Sequence, residues 1–344
     1  MSAQQTAAPD WRGRLRHRLA PVVSAYREIP ILGPLSGLIL LIIYFSFKSS
    51  VFLSYDNFSN ILNQVMEVGT LAMGQTLIII TAGIDLSNGA IMVLSSVVMA
   101  KLATGAASQG GSLGISPVLA ILAGFAVACG FGLLNGGIVS AVRLPPFIVT
   151  LGMLNVCASS TLLYTGSASV TNLPSGLLFL GNSFTLAGKS VQVGPLVMLA
   201  VVASTWYALR QTAWGKHVYA VGDSVEAARL TGINTTRVLL SVYLVAGVIY
   251  GIAALLVLGR TTVGDPLAGQ TDNLDSITAV VIGGTSLFGG RGTVIGTLIG
   301  ALIVGVIRNG LTLIGVDALW QTFATGVLVI VAVAVDQTTR RRSR

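Results

Sequence analysis

Residues 117–139 read PVLAILAGFAVACGFGLLNGGIV, a run without a single charged side chain. A helix that crosses the hydrocarbon core of a bilayer needs about 20 predominantly apolar residues. This run therefore predicts a transmembrane helix, and several comparable runs lie on either side of it. The fold has to be understood with lipid, rather than water, as the main solvent.

The composition of the whole chain agrees with a membrane protein. Of its 344 residues, 53% are hydrophobic and only 9% are charged, and the mean hydropathy is +0.83. Soluble domains carry about 25% charged residues. The 41 glycines suit helices that pack closely in a bilayer. Cys129 and Cys157 fall inside apolar runs, so neither a disulfide framework nor a metal site is expected. We predict an all-α integral membrane protein.

The apolar runs predict about ten transmembrane helices, which together form one transmembrane domain over residues 31–336. One run carries Gly283, Gly284, Gly289 and Gly290, which predicts a broken or re-entrant segment. The spans are expected near 31–47, 60–82, 89–104, 117–139, 146–165, 193–209, 237–258, 274–290, 293–314 and 320–336.

The basic residues predict the orientation, because cytoplasmic segments of membrane proteins carry an excess of Lys and Arg. With ten spans and both termini inside, most of the 20 Lys and Arg residues are cytoplasmic. They include the basic N-terminal segment 1–30 and the basic tail 337–344. The basic residues expected outside, or near the outer ends of spans, are Lys48, Lys101, Lys189, Arg260 and Arg308. The positive charge thus reports topology, and no nucleic-acid partner is expected.

The segment 210–236 is the longest cytoplasmic loop of this topology, and residues 222–232 within it read GDSVEAARLTG. Asp223 is expected to cap a helix, with Glu226 at the acidic position of a capping box. Gly232 stands where a helix ends through a left-handed residue. A short helix over 223–231 is the prediction. From the residues alone, a capped connector without a partner fits as well as a docking site.

Several motifs resemble those of a known transporter family. The Glu-Ala-Ala stretch followed by Gly232 resembles the cytoplasmic coupling motif of ABC importer permeases, on which the ATPase subunit docks. The sequences GIDLS at 83–87, LPPFIVTLG at 144–152 and GGTSLFGGRGT at 283–293 resemble the ribose/xylose/galactoside branch of these permeases. AIMVLSS at 90–96 and RNG at 308–310 are most similar to the fructose-type members.

The resemblance implies an ABC importer permease fold in the bacterial inner membrane and a set of partners. These are an ATPase subunit, a substrate-binding protein that delivers a monosaccharide, and a second permease copy. ATP and magnesium would be bound by the ATPase, with no cofactor in this chain. The resemblance also implies a set of docking residues: Gly222, Asp223, Ser224, Glu226, Ala227, Ala228, Arg229 and Gly232.

No enzymatic motif is apparent in the sequence. A P-loop requires a Gly five residues before Gly-Lys-Ser, and Ser183 occupies that position relative to Gly188-Lys189-Ser190. His17 and His217 are both on the cytoplasmic side and far from any candidate triad. The chain is predicted to be a transport subunit and not an enzyme.

Polar side chains inside the spans are the candidates for the substrate path, because lipid penalises them unless they face a cavity or a partner. Neutral amides suit sugar hydroxyls, although each could equally form a helix–helix hydrogen bond. Asp85 and Ser87 precede the third span, and either is expected to cap it. The candidate path residues are Gln64, Glu67, Gln75, Asn135, Asn155 and Asn309.

Glu67 and Arg308 form a further candidate pair. Counted along their spans at about 1.5 Å per residue, both lie at a similar depth below the outer surface. We predict an ion pair that closes an outer gate, with a snorkelling Arg308 and a hydrated Glu67 as the alternative.

Two other transport classes remain open from the residues. An ion-coupled secondary transporter would also be polytopic with polar sites inside the bilayer, but would have no need of the cytoplasmic helix at 223–231. A channel is less favoured, since no ring of charge appears. The sequence fixes neither the sugar nor the role of the outer loop 166–192.

Overall fold

The computed structural model describes residues 31–105, 114–186 and 188–341. The predicted basic segment 1–30 and the last three residues of the tail lie outside this part of the chain. The described residues form thirteen α-helices and one small hairpin. The helices are α1 (Leu32–Lys48), α2 (Tyr55–Ile80), α3 (Asn88–Thr104), α4 (Pro117–Gly137), α5 (Pro146–Thr165), α6 (Ser175–Leu178), α7 (Val193–Gln211), α8 (Ala213–Asp223), α9 (Val225–Leu230), α10 (Thr235–Thr261), α11 (Asp272–Ile282), α12 (Val294–Leu313) and α13 (Ala318–Arg341).

Helix α10 is the centre of the bundle. It packs against α2, α3 and α4. In its apolar 18-residue stretch 72% of the residues are buried, whereas only 22% are buried in the corresponding stretch of the span that contains α4. Gly247 of α10 lies directly on the backbone carbonyl of Ala128 in α4, where no Cβ would fit. Small residues let two helix backbones approach this closely. Helix α4 therefore packs through a narrow stripe and presents the rest of its surface to the surroundings, as expected of a lipid-facing helix.

Five helices of the described residues are long and apolar enough to cross a membrane. They agree with a multi-pass membrane protein, while the count of ten spans stays a prediction. Shorter apolar helices cover Leu32–Lys48, Asn88–Thr104 and Ala318–Val331. The five candidate spans are Pro117–Val142, Pro146–Thr165, Val193–Gln211, Thr235–Thr261 and Val294–Leu313.

The segment predicted at 274–290 is interrupted, as its glycines indicated. Helix α11 ends at Ile282, and a loop with Gly284, Gly289 and Gly290 at positive φ leads to α12. We call residues 283–293 the glycine loop. Gly283 at the end of α11 lies against the backbone of Gly296 in α12. A broken helix thus packs against an unbroken one by direct contact of their main chains.

The connection between α2 and α3 differs from the prediction that Asp85 or Ser87 caps the third span. Ser87 occupies the N-cap position but makes no capping hydrogen bond. Its hydroxyl is used elsewhere: it donates to Asp85 Oδ1 (2.5 Å) and accepts from Asn135 Nδ2 (2.9 Å). Asp85 Oδ1 also accepts the backbone N–H of Ser87 (2.8 Å). The two residues stabilise the turn before α3 rather than its first helical turn.

The segment 166–192, predicted to be an outer loop, contains two paired antiparallel strands, β1 (Ser183–Leu186) and β2 (Lys189–Gln192). The Tyr55 hydroxyl at the start of α2 donates to the Ser190 carbonyl (2.8 Å). The Lys189 ammonium lies 4.5 Å from the centroid of the Tyr55 ring. The stretch that superficially resembles a phosphate loop is therefore part of a hairpin that packs over the N-terminus of α2.

Candidate docking site and transport cavity

The segment predicted to bind an ATPase folds into two consecutive helices, α8 and α9. The predicted cap is off by one residue: Ser224, and not Asp223, accepts the N–H of Ala227 through its hydroxyl (3.2 Å). Asp223 still belongs to α8, whereas Ser224 has the extended backbone that an N-cap requires. Glu226 therefore lies in the first turn of α9 without completing a capping box. Its negative charge interacts favourably with the positive end of the helix dipole.

The end of α9 confirms the predicted left-handed stop at Gly232. Its φ is +87°, a region that residues with a Cβ rarely adopt. The Gly232 N–H donates to the Arg229 carbonyl (3.0 Å), and the Ile233 N–H donates to the Ala228 carbonyl (3.1 Å). Both ends of α9 are thus fixed by specific hydrogen bonds, and α10 begins a few residues later.

Helix α9 is anchored by one residue and exposed on the rest of its surface. Ala228 is buried against the body of the protein, whereas Leu230 is 79% exposed and Val225 is also exposed. Single exposed apolar side chains are common on protein surfaces, so the exposure of Leu230 is compatible with a docking surface and with a plain connector. Docking of an ATPase on α9 stays a prediction.

The C-terminus of α8 is joined directly to two other elements, at a contact that we call the junction. The Gly290 N–H in the glycine loop donates to the Ile80 carbonyl at the end of α2 (2.9 Å). Gly222 lies against these same two groups, so closely that a Cβ would overlap them. The Tyr219 hydroxyl of α8 donates to the Gly292 carbonyl (2.8 Å). The C-terminus of α8 is therefore in direct contact with the end of α2 and with the glycine loop.

A polar cavity of about 220 Å³ lies at the other end of the bundle. Gln64 and Glu67 of α2, Arg260 of α10, Asp272 of α11 and Arg308 of α12 line it. Arg260 lies next to the last residue of α10, about 38 Å along the axis from the start of that helix at about 1.5 Å per residue. We call this space the outer cavity, because α9 and the junction lie at the opposite end of α10.

A buried polar cluster lies between the junction and the outer cavity. Asp85 is 1% exposed and accepts hydrogen bonds from Ser87 and from the Tyr250 hydroxyl (3.1 Å). No basic side chain of the described residues forms an ion pair with it. Asn88 at the start of α3 donates to Ser276 of α11 (2.8 Å). Hydrogen bonds from α3, α10 and α11 thus meet at the turn that follows α2.

Comparison with known families identifies the class of protein to which this arrangement belongs. A family model described as "Branched-chain amino acid transport system / permease component" matches residues 57–333, which include both the docking segment and the outer cavity. The chain belongs to this permease family. The predicted permease fold class is therefore supported, and no solved structure matches the chain.

Individual relatives of the permease are importers of sugars by name. The fructose import permease protein FrcC of Rhizobium meliloti is 44% identical over 91% of this chain and 86% of its own length. The ribose import permease protein RbsC of Bacillus subtilis is 38% identical over 89% and 92%. The galactose/methyl galactoside import permease protein MglC of Escherichia coli is 35% identical over 87% and 91%. The predicted resemblance to the monosaccharide branch is confirmed.

The ion pair predicted between Glu67 and Arg308 is wrong in its partners. Glu67 pairs with Arg260 through two hydrogen bonds (2.6 and 2.8 Å), and Arg308 pairs with Asp275 of α11 (2.5 Å). Both predicted residues do line the outer cavity, so the estimate of equal depth placed them in the same region. The ends of α10 and α11 supply nearer partners of opposite charge. A role of these residues in an outer gate stays a prediction.

Charge exchange distinguishes the observed pairing from the predicted one. We expect Glu67→Arg and Arg260→Glu each to lower sugar uptake about tenfold, since losing hydrogen bonds to a charged group costs about 1.5–3 kcal/mol. Together they should restore a large part of the uptake. The matched control combines Glu67→Arg with Arg308→Glu and should recover nothing. Recovery in the control but not in the first pair would contradict the observed geometry.

The six predicted path residues do not come together. Gln64 and Glu67 share the outer cavity. Gln75 and Asn135 belong to the polar cluster: the Gln75 amide, with its oxygen and nitrogen placed to match their partners, bonds to the Asp85 backbone, and Asn135 donates to Ser87. Asn309 donates to Asn57 Oδ1 (2.9 Å). Asn155 is exposed and donates to a carbonyl of its own helix. Gln75 and Asn135 thus serve helix contacts in this structure.

The candidate residues that the sequence reasoning missed are Asp272, which lines the outer cavity, and Asp275, which pairs with Arg308, together with the pairing of Arg260. A signal was present: the chain has only 12 acidic residues, and two of these lie three positions apart at the head of an apolar segment. Acidic residues are favoured in the first turn of a helix, and α11 begins at Asp272. The sequence does not show that they lie near Arg308, because this depends on how α11 packs against α12.

Proposed function

We propose that the permease forms the transmembrane path of an ATP-driven importer for a monosaccharide. Fructose is the best candidate, because a fructose import permease is 44% identical over most of both chains; ribose, xylose or another single sugar are the alternatives. The observation that carries the proposal is α9, a short exposed helix with fixed ends whose neighbour α8 meets α2 and the glycine loop at the junction. An ATPase subunit would dock there.

The proposal includes the topology and the partners. Ten spans with both termini in the cytoplasm of a bacterial inner membrane place α9 inside and the outer cavity outside. A substrate-binding protein would deliver the sugar to the outer surface, and two permease copies would work with two ATPase copies. ATP and magnesium would be held by the ATPase. Support for these partners comes from membership of the permease family.

The contacts at the junction suggest how ATP hydrolysis would be coupled to transport. Force applied to α9 reaches α8 directly, because only Ser224 separates the two helices. From Gly222 it reaches Ile80 and Gly290 through main-chain contact, which leaves little freedom for the motion to be absorbed. Helix α2 continues from Ile80 to Glu67 at the outer cavity. One helix thus connects the docking end to the outer end.

Leu230 provides the test of docking. We expect Leu230→Asp to lower ATPase copurification and sugar uptake at least tenfold, because burying a leucine at an interface contributes about 1.5–3 kcal/mol and 1.4 kcal/mol corresponds to tenfold in affinity. Membrane insertion and thermal stability should not change, since Leu230 is exposed in the isolated permease. The matched control is Leu186→Asp, an exposed leucine on the outer hairpin.

Uptake by the complete complex in proteoliposomes, with a panel of labelled fructose, ribose, xylose and galactose, tests the substrate class. ATP-dependent accumulation of one of these sugars is the expected result. Accumulation driven by a proton or sodium gradient without ATP would instead identify a secondary transporter.

Normal ATPase binding by the Leu230→Asp protein would remove α9 as the docking site.

A further inference from the structure

Asp272 differs from the other acidic residues around the outer cavity in having no partner. It is the first residue of α11, lines the cavity and is 8% exposed. Among the described residues no hydrogen bond or ion pair to its carboxylate is formed, whereas Glu67 and Asp275 each bind an arginine. A buried carboxylate usually has its lone pairs satisfied. Asp272 therefore brings to the cavity wall a carboxylate that no side chain of the described residues binds.

Positive groups lie near the carboxylate of Asp272 without forming a hydrogen bond to it. The N-terminus of α11 contributes the positive end of a helix dipole. Arg260 and Arg308 line the same cavity but are bound to other carboxylates. A guanidinium has five N–H donors, and Glu67 accepts one N–H from Nε and one from Nη2 of Arg260. The cavity therefore presents free acceptors on Asp272 beside further donors on the arginines.

This combination fits a neutral polyol better than an ion. A cation would meet two guanidinium groups, and an anion would meet the unpaired carboxylate. Hydroxyl groups both donate and accept, so neighbouring hydroxyls can donate to Asp272 while others accept from an arginine. Val65, Ala301 and Val304 form an apolar part of the wall that suits the C–H face of a sugar ring. The volume of about 220 Å³ is below the range of about 300–1,000 Å³ for drug-sized ligands, which favours a single ring.

We propose that the outer cavity is a sugar-binding station within the permease itself, in which Asp272 accepts hydrogen bonds from sugar hydroxyls. The proposal rests on the proposed function and deepens it, since it assigns a binding step to the membrane subunit. The sugar would bind in the outer cavity after its release by the binding protein. The Glu67–Arg260 and Asp275–Arg308 pairs would position the arginines around it.

The test uses the complete permease–ATPase complex in lipid nanodiscs, without the binding protein and with labelled D-fructose and D-ribose as probes. We expect saturable binding of at least one sugar by the unmodified complex and at least tenfold weaker binding after Asp272→Asn, which keeps the size of the side chain and removes its charge. The matched control is Asp56→Asn, an exposed acid in the first turn of α2 away from the outer cavity. It should bind sugar normally.

A second variant guards against a folding defect at Asp272. Gln64 is exposed on the cavity wall, so Gln64→Ala should leave thermal stability unchanged while weakening sugar binding several-fold. Normal binding and half-saturation of uptake in both variants, in a complex that transports sugar, would overturn the station and leave the proposed function intact. Binding of sodium in place of sugar, lost in Asp272→Asn, would also overturn it. A complex that takes up no sugar at all would overturn the proposed function instead.

Discussion

Replacing Gly222 with valine is expected to abolish uptake and to destabilise the permease by about 3 kcal/mol or more. A Cβ at this position would overlap the Ile80 carbonyl and the Gly290 N–H, which form a hydrogen bond with each other. Both are main-chain groups of packed elements and cannot turn aside as a flexible side chain could. Overpacking costs about 1–3 kcal/mol even where side chains can adjust. We expect more than a hundredfold loss of transport, measured beside the thermal stability of the purified complex.

The control for Gly222→Val is Gly137→Ala, at a helical glycine with open space where the Cβ would be placed. It should keep uptake and stability within a factor of two. The less bulky Gly222→Ala should already show most of the defect, because the first added carbon makes the clash. Full activity of Gly222→Ala would mean that α8, α2 and the glycine loop do not meet as closely as the structure has them.

Replacing Asp85 with alanine is the second change for which we expect a severe effect. It leaves three buried donors without an acceptor: the Ser87 N–H, the Ser87 hydroxyl and the Tyr250 hydroxyl. Each unsatisfied buried group costs about 1–3 kcal/mol, so the sum for the three groups is about 3–9 kcal/mol. For a protein of this size we expect the melting temperature to fall by roughly 5–15 °C, together with transport.

Asp85→Asn separates the hydrogen-bonding role of this residue from its charge. The asparagine oxygen can still accept from Ser87, and its amide nitrogen can donate to the Tyr250 oxygen. We therefore expect a much smaller loss of stability than in Asp85→Ala. An equally large loss in both variants would show that the carboxylate charge itself is required, and would contradict the interpretation that Asp85 acts by holding the turn before α3 against α10.

The sequence predicts the helices best where an apolar run has sharp ends. The span expected at 146–165 coincides with α5, because Pro146 opens it and Gly166 follows it. Helix α2 begins at Tyr55 rather than near residue 60, since Ser54 caps a polar first turn that a search for apolar residues passes over. In the segment expected at 274–290, the glycines predicted a break, but only the packing on α12 shows that the helix stops at Ile282.

The candidate sites follow the same division between local and distant information. The short helix predicted over 223–231 agrees with α9 (Val225–Leu230) to within two residues, because its cap and its stop are set by neighbours in sequence. The ion pairs at the outer cavity could not be predicted in the same way, because the paired residues are far apart along the chain. Glu67 pairs with Arg260, and Arg308 pairs with Asp275. Counting residues along a span gives the depth of a side chain. It does not give the direction in which the side chain points, which decides between two arginines at similar depth.

The joint between α11 and α12 limits how this transporter can diversify. Gly296 and Gly300 lie on the carbonyls of Gly283 and Ala279, so main chain touches main chain and no side chain is available to be exchanged. A larger residue on one helix cannot be compensated by a smaller one on the other, because neither helix has anything left to remove. If the outer cavity binds sugar as proposed, new sugar preferences would arise on walls made of side chains, such as Gln64. The main-chain contact between α11 and α12 therefore tolerates little substitution, whereas the side chains that line the outer cavity can be exchanged.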